Sequence, residues 1–324
     1  MLKIAHSPLF CHSVPASHRF PMAKYDLIPQ KLLQEGVITP DNLFHPQLLS
    51  EQEILTTHTA DYWQKLKTGT LTEKEIRKIG LPMSGELVKR ERYITHATYE
   101  CALYAKEYGI SLSTSGGTHH GFAGHGEGFC VFNDVCVASN LLLTRGQAKR
   151  ILSVDLDVHQ GNGNASIMAD NPDVFVFSMH GKKNYPFIKP PSDLDIELDD
   201  GTGDDEYLGV LADTLPRVID EFCPDFIFYQ AGVDVLATDK LGKLSLSMQG
   251  CHERDEMVLS VAHRYGIPVA VVMGGGYSDN VDTVAEGHCG VFRVARGIVG
   301  GLIRQIIDIH SVKNTCINVH YKSP

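Results

Sequence analysis

Asp155, Asp157 and His159 stand at alternate positions directly after the largely apolar run 150–154. In extended chain, residues two apart share a face, so the spacing predicts three polar groups on one side at the end of a buried strand. An unpaired carboxylate there costs several kcal/mol or takes up a proton. A divalent cation removes that cost. Aspartate and histidine are both zinc ligands, and Asp234, placed after a second apolar run, supplies a third. Two carboxylates and a neutral imidazole balance a divalent ion. Three protein ligands leave one position open, as catalytic rather than structural zinc sites do. A bare D-x-H is more often a hydrogen-bonded loop; the neighbouring Asp155 and the D-x-H-x-G-x-G run over 157–163 argue against that reading here.

Two further segments carry chemistry. His119 and His120 follow Gly116-Gly117. Adjacent histidines are commonly a solvated loop, but glycines at a strand end let backbone approach a ligand closely. Beside a metal site, two imidazoles supply a general base and an electrostatic partner. Tyr277 follows three glycines, in a spacing that fits neither the dinucleotide nor the phosphate-loop pattern. It reads either as a phenol aimed at a developing oxyanion or as a tyrosine packed in a core loop, and residue type alone leaves both open.

The elements that must position these groups alternate from about residue 94 onward. Helical patterns cover 99–108, 133–144, 204–222, 249–265 and 282–309; strand-like runs cover 110–115, 150–155, 174–178, 226–230 and 269–273. Strands separated by helix-length segments pair in parallel through crossovers. Continuous apolar runs are expected where helices cover both faces. These patterns predict a three-layer α/β/α fold with a mainly parallel central sheet, as one domain over residues 1–324. Residues 1–93 read as less regular, with loops at 12–21 and 39–50. In such folds ligands bind outside the carboxyl ends of the strands, where all the segments above fall.

The chain has 324 residues and a formal net charge of -10, an acidic balance that argues against gripping phosphate backbones and predicts no direct nucleic-acid partner. No apolar run approaches the ~18 residues of a membrane span. The N-terminus has no signal-peptide core, so a cytoplasmic protein is expected. None of the eight cysteines forms a C-x-x-C pair, so neither a structural zinc finger nor a disulfide framework is predicted.

The motifs GGTHHGF at 116–122, GEGFCVFND at 126–134, VDLDVHQGNG at 154–163, FSMHG at 177–181, QAGVD at 230–234 and GGGY at 274–277 together resemble the histone deacetylase superfamily, whose fold is shared with arginase. The stretch HRFPMAKY at 18–25 and the threonine of GGTHH are most similar to the class IV branch and its bacterial relatives. The resemblance implies one catalytic Zn2+ on Asp157, His159 and Asp234. It implies His120 as general base and acid, His119 as its partner, Asp155 paired with His119, and Tyr277 polarising the scissile carbonyl. Gly128 and Phe129 match positions of an acyl-lysine tunnel, and Cys130 its foot. Asp155, Asp157, His159, Ser178 and Met179 match a structural K+ or Na+ site. Asn162 stands where class I members have aspartate as partner of the second histidine, which should leave His120 readier to accept a proton near neutral pH.

The expected activity is zinc-dependent hydrolysis of N-acyl amines, with an acyl-lysine peptide or protein, or an acylated small amine, as substrate. An acetylpolyamine amidohydrolase is the nearest alternative. An arginase-like ureohydrolase wants a second acidic ligand after His159, where Gln160-Gly161 stand instead. A non-catalytic acyl-lysine reader would dispense with a histidine, a ligand or Tyr277, and all are present. Rim loops are expected at 11–25, 78–96 and 182–192.

Overall fold

The computed structural model describes residues 1–15 and 18–301. Eight parallel strands form one sheet: β1 (Lys3–Ala5), β2 (Leu43–Phe44), β3 (Ile110–Ser113), β4 (Ile151–Asp155), β5 (Val174–Gly181), β6 (Leu194–Leu198), β7 (Phe226–Gln230) and β8 (Val269–Val272), in the order β2-β1-β3-β8-β7-β4-β5-β6. Side-chain alternation divides the central strands between two cores. Leu152, Val154, Ile227, Tyr229, Val269 and Val271 face one core. Ile151, Phe226, Phe228, Ala270 and Val272 face the other. The first core is closed by α1 (Lys24–Gln34), α8 (Asp204–Phe222), α9 (Met248–Tyr265) and α10 (Val281–Val299); the second by α3 (Ala60–Thr68), α5 (Gly85–Tyr108) and α6 (Asp134–Thr144). This is the three-layer arrangement expected, and it explains why the strands read as unbroken apolar runs.

The topology opens a crevice over the middle of the sheet. From β3 the chain crosses to β4, leaving room that β7 and β8 later fill. Loops on the two sides of such a reversal diverge, and the space between them is where open α/β sheets bind ligands. The loops after β3, β4, β7 and β8 all reach it.

The N-terminal third is more ordered than the sequence suggested. Besides α1 and α3 it holds α2 (Glu51–Ile54) and α4 (Glu73–Ile79), and α5 begins at Gly85 rather than near Tyr99. The short helices are set by capping boxes, Ser50 with Glu53 and Thr72 with Glu75. β1 and β2 are too short for any periodicity and exist by pairing with β3 and with each other. The early turns of α5 bury Arg90 and Glu91 as an ion pair, which interrupts the apolar stripe that marks a helix. α7 (Asn162–Met168) starts inside the Gly/Asn-rich motif, whose residues are poor helix formers. β5 runs to Gly181, past the expected end at Ser178. β6 is absent from the expected strands, which are continuous apolar runs, because it is a partly exposed edge strand of alternating character. The last helix ends at Val299, and the remainder of the span expected to 309 lies, from 302, outside the described residues. Cys11, Cys101, Cys130, Cys136, Cys251 and Cys289 are not in disulfides, and among the described residues no helix is long and apolar enough to cross a membrane.

Candidate active site

Asp155 closes β4, and the chain then bends, so that Asp157 and His159 lie in a loop rather than in extended chain. Asp234 lies four residues beyond β7. The period-two expectation therefore fails for Asp155, which leaves the other two and accepts a hydrogen bond from His119 Nδ1 at 2.8 Å. Asp157, His159 and Asp234 come together instead, with one ligand atom of each within 4.8 Å of the others and all three residues buried. Backbone amides hold the carboxylates in place. Val158 N donates to Asp234 Oδ1 (2.9 Å), His159 N to Asp157 Oδ1 (3.0 Å) and Gly275 N to Asp157 Oδ2 (2.7 Å). Glycine is required at 275 because a Cβ there would lie 1.9 Å from Asp234 Oδ2.

The donor set fits a divalent cation. His159 Nδ1 sits 3.1 Å from Asp157 Oδ1 and 3.0 Å from Asp234 Oδ2. Burial works to lower the His159 pKa, but its hydrogen bonds to the two carboxylates raise it to about 10. Burial and the like charge of Asp157 push Asp234 up to about 7. A proton on His159 thus stands in for positive charge that two buried carboxylates demand, and a metal ion taking the same donors would displace it.

His119 and His120 sit on the loop after β3, which Asp134 at the start of α6 clamps by accepting from Gly117 N (2.9 Å), Thr118 N (2.7 Å) and Thr118 Oγ1 (2.7 Å). Their rings are 4.0 Å apart, centroid to centroid. His120 Nδ1 is 2.6 Å from Asn162 Oδ1, at the start of α7. The two environments separate the pair. Burial opposes the charge on His119, but Asp155 and Asp157 outweigh it and raise its pKa. Burial and the neighbouring charges of His119 and His159 hold His120 well below the ordinary histidine value. The surroundings thus push His119 towards its cationic form and His120 towards its neutral form, the division a base and its electrostatic partner require.

Tyr277 is delivered by the glycine turn after β8, its amide donating to Asp239 Oδ2 at 2.6 Å. Its ring lies 6.3 Å from that of His159 and 5.9 Å from that of Phe129. Burial, reinforced by Asp234 and Asp157, raises the phenol pKa well above 10, so it remains a proton donor. Phe129 holds a left-handed backbone (φ 67°), uncommon for a bulky residue, in the turn from Glu127 to Cys130. Glycine is needed beside it, since a Cβ on Gly128 would lie 2.6 Å from His120 Cδ2. Tyr185 packs edge-on against His120 at 5.0 Å. A cavity of about 30 Å³ lined by His119, His120, Gly128, Phe129, Cys130 and Tyr277 reaches down to Arg90 and Glu91. A larger one, about 680 Å³, lies at the opposite end of the strands and includes none of these side chains. Ser178 and Met179 lie on β5 next to β4, Ser178 in register with Asp155; both are buried, and Ser178 Oγ lies 2.9 Å from His180 Nδ1.

Several groups that support the site had no role assigned from the sequence. Arg254 on α9 is fully buried; its Nη1 donates to Gly232 O (2.5 Å) and Leu156 O (3.3 Å), tying together the backbones of both aspartate-bearing loops, and its charge is met by Asp255 at 2.8 Å. In HERDE such residues look like a solvated helix face. Lys24, also fully buried, donates to Gly274 O at 3.1 Å beneath the tyrosine turn. Burial lowers its pKa to about 8 against the pull of Asp234, Asp157 and Asp239. Glu127 and Tyr185 were read only as parts of a motif and a rim.

A profile of the histone deacetylase domain matches residues 18–294. An uncharacterized protein of Picosynechococcus is 43% identical over 295 residues, 91% of this chain and 98% of that one. Histone deacetylase 2 of Arabidopsis thaliana is 29% identical over 269 residues, 80% of this chain and 70% of that one. Acetoin utilization protein AcuC of Bacillus subtilis is 28% identical over 316 residues, 90% of this chain and 80% of that one. Among solved structures, an HDAC homologue from Aquifex aeolicus superposes with a TM-score of 0.77 at 24% identity, covering 93% of this chain and 84% of that one, a likeness of fold.

Proposed function

Since the chain belongs to the histone deacetylase family, we propose that it is a zinc-dependent amidohydrolase, a single catalytic domain that removes acyl groups from lysine side chains of peptides or proteins. The observation that carries this reading is the buried Asp157, His159 and Asp234 cluster flanked by a neutral His120 and a protonated Tyr277. When bound there, zinc supplies Lewis acidity toward the amide carbonyl and makes water nucleophilic near neutral pH. His120 takes the proton from the attacking water and returns it to the leaving amine. His119, which Asp155 and Asp157 push towards its cationic form against the effect of burial, favours negative charge in the site. The Tyr277 phenol donates to the oxygen on which charge develops. Phe129 and Tyr185 flank the acyl-lysine stem and keep water from it.

Asp155 is engaged by His119, which supports one catalytic metal rather than the pair an arginase-like reaction needs. A monovalent cation, K+ or Na+, is proposed between β4 and β5, at Asp155, Asp157, His159, Ser178 and Met179. Beyond Tyr185 the rim carries Phe187 and Ile188, each 88% exposed, an apolar lip better suited to a peptide or a long acyl chain than to a free polyamine. The class IV resemblance points the same way. The test is a zinc-loaded activity panel of acetyl-lysine peptide, myristoyl-lysine peptide and acetylputrescine. Amine release from a lysine peptide is expected to exceed that from acetylputrescine. Silence on all three, with one zinc bound per chain, would overturn the reading.

A further inference from the structure

Glu127 is buried inside the loop that carries Phe129, and four groups converge on its carboxylate. Asn162 Nδ2 and Tyr185 Oη both donate to Oε1 at 2.6 Å, while Lys78 Nζ lies 2.5 Å and His125 Nε2 3.5 Å from Oε2. Burial opposes its charge, but these partners hold its pKa far below the usual carboxylate value. Asn162, in turn, faces His120.

An amide, unlike a carboxylate, has two unlike ends. Turned one way, Asn162 accepts from His120 Nδ1; turned the other, it donates to it, and the imidazole must then carry its proton on Nε2. Two fixed partners decide the matter. An ionised Glu127 only accepts, so Nδ2 must face it. Gly163 N only donates, and it meets Asn162 Oδ1 at 3.1 Å. The oxygen therefore faces His120, Nδ1 carries the proton, and the Nε2 lone pair is left for the site. An aspartate at 162 would need no such partner, because both its oxygens accept.

We propose that Glu127 is a positioning residue that locks the Asn162 amide, and through it the proton-accepting tautomer of His120, and that Tyr185 couples this lock to the rim of the tunnel. One charge-assisted hydrogen bond biases the two amide orientations by about 10- to 100-fold. Without it the orientations mix and His120 spends part of its time with Nε2 blocked. The catalytic part of the inference rests on the proposed deacylase reading, whereas the tautomer does not.

The test is ¹⁵N NMR of histidine-labelled full-length protein at pH 7.5, zinc-loaded and zinc-free, with His120 assigned by the His120→Gln spectrum. Wild type is expected to show a single His120 tautomer protonated at Nδ1. Glu127→Met is expected to show a mixture, with kcat on the best lysine substrate falling in proportion to the fraction of His120 still protonated at Nδ1, about twofold for an even mixture, and KM unchanged. Glu127→Gln, whose carbonyl still accepts from Asn162, is expected to keep the tautomer and most of kcat. A wild-type His120 protonated at Nε2 would overturn the proposal whatever the variants do. So would a Glu127→Met protein with an unchanged tautomer, or a Glu127→Gln protein that loses it. Should Glu127→Met not fold, wild type and Glu127→Gln decide alone. A shifted tautomer in a protein inactive on every substrate would support the lock and count against the deacylase reading only.

Discussion

His58 offers a way to test how the loop bearing the two histidines is held. It is 2% exposed and sits between two backbone groups: Nδ1 donates to Phe122 O at 3.1 Å, and Nε2 accepts from Asn133 N at 3.1 Å. Asn133 also donates to Gly121 O at 3.0 Å, so one imidazole ties both ends of the segment that follows His120. A proton on Nε2 would set two donors against each other in a buried site. Burial lowers the His58 pKa from 6.5 to about 4. The unfolded chain therefore binds a proton between those values that the folded chain does not, and stability is lost as pH falls through the window. At about 1.4 kcal/mol per pH unit, the loss amounts to about 3 kcal/mol by pH 4. His58→Gln keeps one donor and one acceptor but does not titrate. Urea unfolding of chelator-treated wild type and variant from pH 7.5 to 4 isolates the difference, because the other titrating groups cancel. Wild type is expected to lose about 3 kcal/mol more than the variant over that range. Parallel stability curves would refute the reasoning.

Tyr277→Phe should bind zinc with unchanged stoichiometry while kcat drops about 100- to 1000-fold, the worth of one oxyanion donor; full activity would remove the phenol from the mechanism. Gly275→Ala drives a methyl group into Asp234 Oδ2, so competition with a chromophoric chelator should find zinc affinity at least about tenfold weaker in a protein that still folds, and equal affinity would contradict the ligand assignment. Arg254→Leu leaves Asp255 buried without its cation and frees the Gly232 and Leu156 carbonyls; urea unfolding should register a loss of about 3–5 kcal/mol, and a loss under about 1 kcal/mol would mean that the pair does not support the site.

The candidate site was legible because its residues sit where parallel sheets end. Each apolar run is followed within about three residues by a glycine, histidine or acid, and the fold brings the loops after β3, β4, β7 and β8 to one place. The alternation argument, however, put Asp155 with the metal ligands, and the bend after β4 sends it to His119 instead. Only the family likeness had paired those two. Other support was hidden because it comes from residues whose types ordinarily mark a surface. Arg254, Lys24 and Glu127 are charged, yet buried, each hydrogen-bonded to groups distant in the chain: Gly232 O for Arg254, Gly274 O for Lys24, and Asn162 and Tyr185 for Glu127. The N-terminal helices were missed for a related reason. α2, α3 and α4 are short and set by caps, and α5 buries the Arg90–Glu91 pair where a stripe of apolar residues was sought.

Titrating zinc into metal-free protein while following amine release from an acyl-lysine peptide tests the central claim most directly, with Asp234→Asn run alongside. Turnover should rise in proportion to zinc, level off at one equivalent per chain, and stay absent from the variant at the same zinc concentrations. Undiminished turnover in chelated protein or in Asp234→Asn would contradict the assignment of Asp157, His159 and Asp234 as the metal centre of the reaction.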